Sequence, residues 1–217
     1  MMLFLLGKES KVLKQPNVCI LDYGSGNVKS VFNLISFLNY NVKISNEIED
    51  IKSSSHLILP GVGAFGSAMK KIKSIIPIDE LKYETMEKKK PFLGICVGMQ
   101  VLVEKGNEYG KHDGLGWLPG SVNKIDTNSY PSLHIGWNNI IIKRDSILFQ
   151  GLGDINDFYF VHSYAINTEE KYNIAETDYG NRFCSSIQKE NIYGVQFHPE
   201  KSQKAGQKLI HNFLSIK

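Results

Sequence analysis

Three times in its first half this chain repeats one local pattern, and that repetition limits the fold more than any other feature. Val18 to Tyr23 is a continuous β-prone run broken by Gly24, Ser25, Gly26 and Asn27. Leu57, Ile58 and Leu59 form a second run, ending in the glycine-rich stretch 60–66, and Phe92, Leu93 and Ile95 form a third, stopping at Cys96. Apolar residues at helical spacing follow each one: Val31, Leu34, Ile35 and Leu38, then Ala68, Met69 and Ile72, then a helix predicted over 99–104. A strand over 42–44 and a helix over 78–89 complete the series. Strands that are apolar throughout belong in a parallel sheet covered on both faces. The alternation therefore predicts an α/β fold with a doubly wound, mainly parallel central sheet flanked by helices, whose sites lie beyond the carboxyl ends of the strands. Past residue 105 the pattern changes. A loop-rich zone over 105–119 leads to short strand-like runs at 122–125, 139–142, 158–161, 174–176, 183–187 and 193–197. With little helix between them, these are expected to pair antiparallel or fill the sheet's second half. A last helix is predicted over 203–214.

The third run also carries chemistry. A side chain on a sharp strand-to-helix turn needs small residues two positions away on either side, and Gly94 and Gly98 flank Cys96 in that way. A helix N-terminus after the strand would favour thiolate over thiol. The plainer reading of Cys96 is a packed core thiol. Near the other end of the chain, the run 193–197 stops at His198, with Pro199 and Glu200 next. In extended chain, positions i and i+2 share a face, and Pro199 keeps His198 out of helical geometry. Glu200 can then orient the imidazole, leaving its other nitrogen free to take a proton from Cys96 and return it to a leaving group. Taken alone, His198 would pass for a surface histidine near a helix start. Together with a cysteine elbow on the same rim of a parallel sheet, it completes a nucleophile–base–carboxylate set. Backbone N–H groups of the 60–66 turn can converge on a developing oxyanion, although such glycines also serve plain tight connections. Gly24 and Gly26 suggest a dinucleotide loop, but the third glycine of that pattern would fall at Lys29.

Composition removes other classes. At 217 residues, with a hydrophobic fraction of 42% and a charged fraction of 22%, one domain of ordinary globular character is expected. Cys19, Cys96 and Cys184 are odd in number and never form a CxxC pair, which argues against disulfides and thiolate metal sites and for a reducing cytoplasm. The remaining histidines (His56, His112, His134, His162, His211) lack ligand spacing, so no metal is expected. A net charge of +3, with Lys70, Lys71 and Lys88 to Lys90 lacking interleaved aromatics, points to no nucleic acid. No apolar run reaches membrane-spanning length. Residues 1–17 read as an N-terminal extension before a domain over 18–217, with neither the basic start nor the cleavage site of a signal peptide.

The elbow at residues 94–100 and the His198-Pro199-Glu200 end of its partner strand resemble the class I, or triad, glutamine amidotransferases. Residues 21–27, 59–66, 134–138, 159–164 and 194–202 are similar more narrowly to the glutaminase subunits of imidazole glycerol phosphate synthase. That resemblance spans about residues 18–216 and leaves the extension outside. It implies hydrolysis of L-glutamine to glutamate and ammonia, with Cys96 as nucleophile, His198 as acid and base and Glu200 as orienting carboxylate. Gly61, Val62, Gly63 and Val97 match the oxyanion region; Gln100, Glu108, Ser163 and Tyr164 match the glutamine pocket. Trp137, Tyr159 and Lys201 match residues facing a synthase partner, in the family a (βα)8 barrel, within a heterodimer. No cofactor is implied. The family usually has Pro-His-Met-Gly-Trp-Asn where this chain has Leu133 to Asn138. Relatives of this glutaminase also feed other ammonia acceptors, such as amidino sugars, and a γ-glutamyl hydrolase or a non-catalytic subunit are further alternatives.

Overall fold

In the computed structural model, which describes residues 16–217, the apolar runs become neighbouring strands. β1 (Asn17–Ile20), β2 (Asn41–Ile44), β3 (His56–Gly61) and β4 (Phe92–Cys96) pair in parallel in the order β2-β1-β3-β4. The crossovers carry α1 (Val28–Phe37), α2 (Ile48–Ser53), α3 (Phe65–Ile75) and α4 (Ile78–Lys82). Every residue of β3 and β4 is buried, as a strand covered on both faces requires. Of the expected extension, only Pro16 and Asn17 fall among the described residues, and Asn17 opens β1.

The helix expected over 78–89 ends early, passing at Tyr83 into a π turn over Tyr83–Glu87. The Thr85 carbonyl, which an α-helix would use internally, instead accepts from the Asn191 side chain at 2.8 Å. The helix expected over 99–104 is also cut short: α5 spans Val97–Gln100 alone. Leu102 turns its carbonyl to Trp117 N–H at 2.8 Å and Val101 turns its own to Leu115 N–H at 2.8 Å, so the chain is drawn sideways into sheet pairing. The 105–119 zone is correspondingly less loop-like than expected. It holds the end of β5 (Val103–Gly106), then β6 (His112–Asp113) and the start of β7 (Leu118–Lys124).

The second half is built from β8 (His134–Asn139), β9 (Ile141–Ile142), β10 (Asp157–His162), β11 (Tyr164–Asn167), β12 (Asn173–Tyr179), β13 (Asn181–Lys189) and β14 (Ile192–Val195). β14 lies parallel to β4 on the side away from β3, and from there the sheet continues antiparallel through β13, β11 and β7. β8 and β10 form a separate antiparallel pair. α6 (Gln203–Leu214) buries Leu209, Ile210, Phe213 and Leu214 and occupies the range expected for it. Phe92 and Trp117 meet edge to face at 5.1 Å across the core, each such buried ring contributing about 1.5–3 kcal/mol.

The pairing of β14 with β4 decides where the chemistry falls. Val195 stands opposite Ile95, so the segments following these two strands leave the sheet side by side at the same rim.

Candidate active site

Cys96 ends β4 with φ 55° and ψ −114°, a conformation a non-glycine residue holds only when its surroundings impose it. The glycines show what imposes it. A Cβ at Gly94 would lie 2.4 Å from the Gly98 carbonyl oxygen, and one at Gly98 would lie 1.8 Å from that of Leu59. The chain crosses itself and β3 at van der Waals contact, and only glycine fits at either flank. This is the elbow expected from the sequence. Because α5 is one turn long, the dipole contribution expected there is small.

His198 follows β14 directly. Its Nδ1 meets Glu200 Oε1 at 2.8 Å, and both side chains are completely enclosed. Its backbone is held from both sides: His198 N–H donates to the Tyr159 carbonyl at 2.8 Å, and Ser202 Oγ donates to the His198 carbonyl at 2.6 Å. Nε2 makes no hydrogen bond of good geometry among the described residues, but the Cys96 sulfur is close enough to act on the ring, and the two residues line one cavity. Burial on its own would lower the proton affinity of this ring. The sulfur of Cys96 and the carboxylate of Glu200 outweigh it and raise His198 from 6.5 to about 10. At neutral pH the imidazole carries its proton.

The shared cavity has a volume of about 160 Å³ and is lined by Val62, Gly63, Cys96, Val97, Gln100, Glu108, Val161, His162, Ser163, Tyr164 and His198. Seven of the eight residues singled out from the sequence for the oxyanion and glutamine regions line it together, and the eighth, Gly61, is paired in register with Cys96. Gly61 is packed so tightly that a Cβ would lie 2.5 Å from the Tyr23 hydroxyl. Gly63 differs: nothing crowds it, but its φ of +94° selects glycine. Glu108 Oε2 accepts from Phe65 N–H at 2.8 Å, fixing the carboxylate at the start of α3. Gln100 Nε2 donates to the Tyr164 carbonyl and to Gln196 Oε1, each at 2.9 Å. Trp137, Tyr159 and Lys201 stand together outside the cavity, with the Trp137 ring edge-on to Tyr159 at 6.2 Å and Lys201 Nζ over Tyr159 at 5.3 Å.

Sequence reasoning missed three contributors. Asn27, read only as part of a tight loop, donates from Nδ2 to Glu200 Oε1 at 3.0 Å and accepts from Ser25 Oγ at 2.7 Å. Gln196 is fully buried and directs Nε2 at the Cys96 sulfur, 3.6 Å away. His162, on the cavity wall, meets His134 at 3.1 Å and the Tyr164 carbonyl at 2.9 Å. Gln196 could have been found by its place two residues before His198; Asn27 has no local signal, because its partner is 173 residues away. The other cysteines are excluded as nucleophiles, since burial raises Cys19 to about 11 and Cys184 to about 12. Among the described residues no group of three or more His, Cys, Asp or Glu side chains is placed to hold a metal ion, and no helix is long and apolar enough to cross a membrane.

A strained cysteine, a proton-bearing histidine and a carboxylate at one sheet rim are equipped for acyl transfer. The glutamine amidotransferase class-I profile matches residues 19–216. The chain belongs to that family. Among curated relatives of this amidotransferase, the imidazole glycerol phosphate synthase subunit HisH 2 of Vibrio vulnificus is 47% identical, covering 91% of this chain and 93% of its own length. The HisH subunit of Pelagibacter ubique is 43% identical, with 92% and 100% covered. Among solved structures, PurLQS from Thermotoga maritima superposes with a TM-score of 0.71 at 17% identity, covering 92% of this chain and 98% of that one, a likeness of fold.

Proposed function

We propose that this amidotransferase is the glutaminase subunit of an imidazole glycerol phosphate synthase, acting in the cytoplasm in histidine biosynthesis through a Cys96–His198–Glu200 triad. One observation carries the reading: β14 lies parallel to β4, so the Glu200-bound imidazole and the elbow cysteine open into a single cavity. The high identity to HisH subunits over nearly their whole length supports the pathway.

The chemistry follows from the proton on His198. Cys96, as thiolate, adds to the side-chain carboxamide carbon of glutamine, and the carbonyl π pair moves onto oxygen. Backbone N–H groups of the Gly61-Val62-Gly63 turn and of Val97 are the donors available to that oxyanion. As the C–N bond breaks, His198 delivers its proton to nitrogen and ammonia leaves, since expulsion of an amide anion would be prohibitive. Water then attacks the thioester and its proton passes to His198. The C–S bond breaks, releasing glutamate and restoring the ion pair. Glu200 steadies the ring, and Asn27 steadies Glu200, without either entering the bond changes.

Ammonia protonated in bulk water is no nucleophile, so it must leave toward an acceptor. The reading places a (βα)8-barrel synthase against Trp137, Tyr159 and Lys201 as a heterodimer, receiving ammonia through a shielded passage. It also holds that docking selects the form of the Gly61-Val62-Gly63 turn that presents its N–H to the oxyanion, leaving the free subunit nearly inactive. The test is glutamate release by the purified subunit with and without the synthase, alongside Cys96→Ala. Partner-dependent release that Cys96→Ala abolishes, with ammonium-driven synthesis retained by the complex, is expected. Equal release without the synthase would remove the activation step, and release surviving Cys96→Ala would remove the triad.

A further inference from the structure

We infer that Gln196 is a positioning residue for the nucleophile: its side-chain amide donates a hydrogen bond to the Cys96 sulfur and thereby favours the thiolate. The inference rests on the glutaminase reading for its purpose, but not for its geometry. An amide can face either way, and here its direction follows from a chain of donors. The Tyr164 carbonyl can only accept, so the Gln100 group facing it at 2.9 Å is the –NH2. The same nitrogen lies 2.9 Å from the Gln196 side chain, which must answer with its oxygen. The remaining end of Gln196 is then the donor, and it faces the sulfur at 3.6 Å. A backbone carbonyl on the cavity wall thus sets the polarity of an N–H aimed at the nucleophile.

The setting makes that donor count. Gln196 is completely enclosed and Cys96 nearly so, at 4% exposure, so water does not replace the bond. A hydrogen bond to the charged form of an acid favours that form. With α5 reduced to one turn, Gln196 supplies locally what a long helix would otherwise contribute. The same amide oxygen holds Gln100 in the pocket, so a purely structural role is the competing account and the test must separate the two.

The experiment follows alkylation of Cys96 by iodoacetamide over the whole pH range in which the complex stays folded, read by mass spectrometry of the Cys96 peptide, in the full chain bound to its synthase. Gln196→Met keeps the bulk and removes the donor. The expected result is an upward move of the alkylation midpoint by about one pH unit, read as roughly tenfold slower alkylation on the acid side of the midpoint. A midpoint that stays put while the KM for glutamine rises would leave Gln196 as a prop for Gln100 and overturn the proposal. Gln100→Met should move the midpoint less than Gln196→Met; the reverse order would equally overturn it. A second measurement needs no variant. In protein labelled with [15N]glutamine, the Gln196 side-chain N–H resonances should titrate with the alkylation midpoint and cease to do so once Cys96 is capped; resonances blind to both would refute the bond. Alkylation reads the sulfur whether or not glutamine is turned over, so failure here is distinct from failure of the glutaminase reading.

Discussion

His198 and His162 line the same cavity, are both buried, and hold protons in opposite ways. His198 faces a carboxylate and a sulfur and is raised to about 10; His162 faces a backbone carbonyl and a second histidine and is lowered to about 3. Burial depresses both rings, and for His162 the Tyr164 carbonyl opposes it too weakly, while the positive forms of His134 and His198 add to it. His134, stacked on Phe160 and Tyr179 at 4.7 and 4.1 Å, is lowered by burial to about 4. The contrast teaches that enclosure does not decide a histidine's role. The charge of its nearest partners does, and Cys96 and Glu200 together make the difference here.

The sharpest way to break that contrast is to exchange the two residues' fates. His198→Gln should lower glutamine-dependent turnover by about 10²- to 10⁴-fold, while His162→Gln costs less than about tenfold. Glutamate release by the complex measures both, and equal losses would erase the distinction. Next in size is Asn27→Ala, which removes a donor to a buried carboxylate worth about 1.5–3 kcal/mol. It should lower kcat for glutamine by roughly ten- to a hundredfold, with ammonium-driven synthesis unchanged.

Stability should then bend in opposite directions with pH. The proton on His198 is gained on folding, so its contribution is full below 6.5 and is lost as pH rises through about 10. Glu200→Gln should flatten that alkaline slope in urea unfolding. His134 and His162 fold neutral, so their contribution is full above 6.5 and is lost as pH falls through about 4 and about 3. His162→Gln should shift acid unfolding to lower pH, and an unchanged acid midpoint would show that the pair does not exclude protons. The smallest effect expected is from Lys201→Met. Its cation sits over Tyr159 at the surface, worth about 0.5–1 kcal/mol, so partner affinity measured by titration should fall a few-fold.

Much of this was legible from residues alone, and the limits have physical causes. The elbow was readable because both glycines flank Cys96 in the sequence, although only Gly94 is demanded by its own turn and Gly98 is demanded by the Leu59 carbonyl of β3. The strands β1, β3 and β4 were readable because apolar runs followed closely by a glycine-bearing turn are local objects. The length of α5 was not, since it is set by the Leu115 and Trp117 N–H groups, which take the Val101 and Leu102 carbonyls at its end. β11 and the start of β8 were overlooked because their residues, among them Asn167, His134 and Gly136, carry no clear alternation. The inward environment of His134 and His162 depends on the β8–β10 pair, which composition does not disclose.

The bond from His198 N–H to the Tyr159 carbonyl has a mechanical consequence. Tyr159 presents its ring to the proposed docking face while its peptide oxygen carries the base, so handle and tool are cut from one piece. Docking that shifted this strand by a fraction of an ångström would carry the imidazole with it, and no hinge, lid or relay would have to intervene.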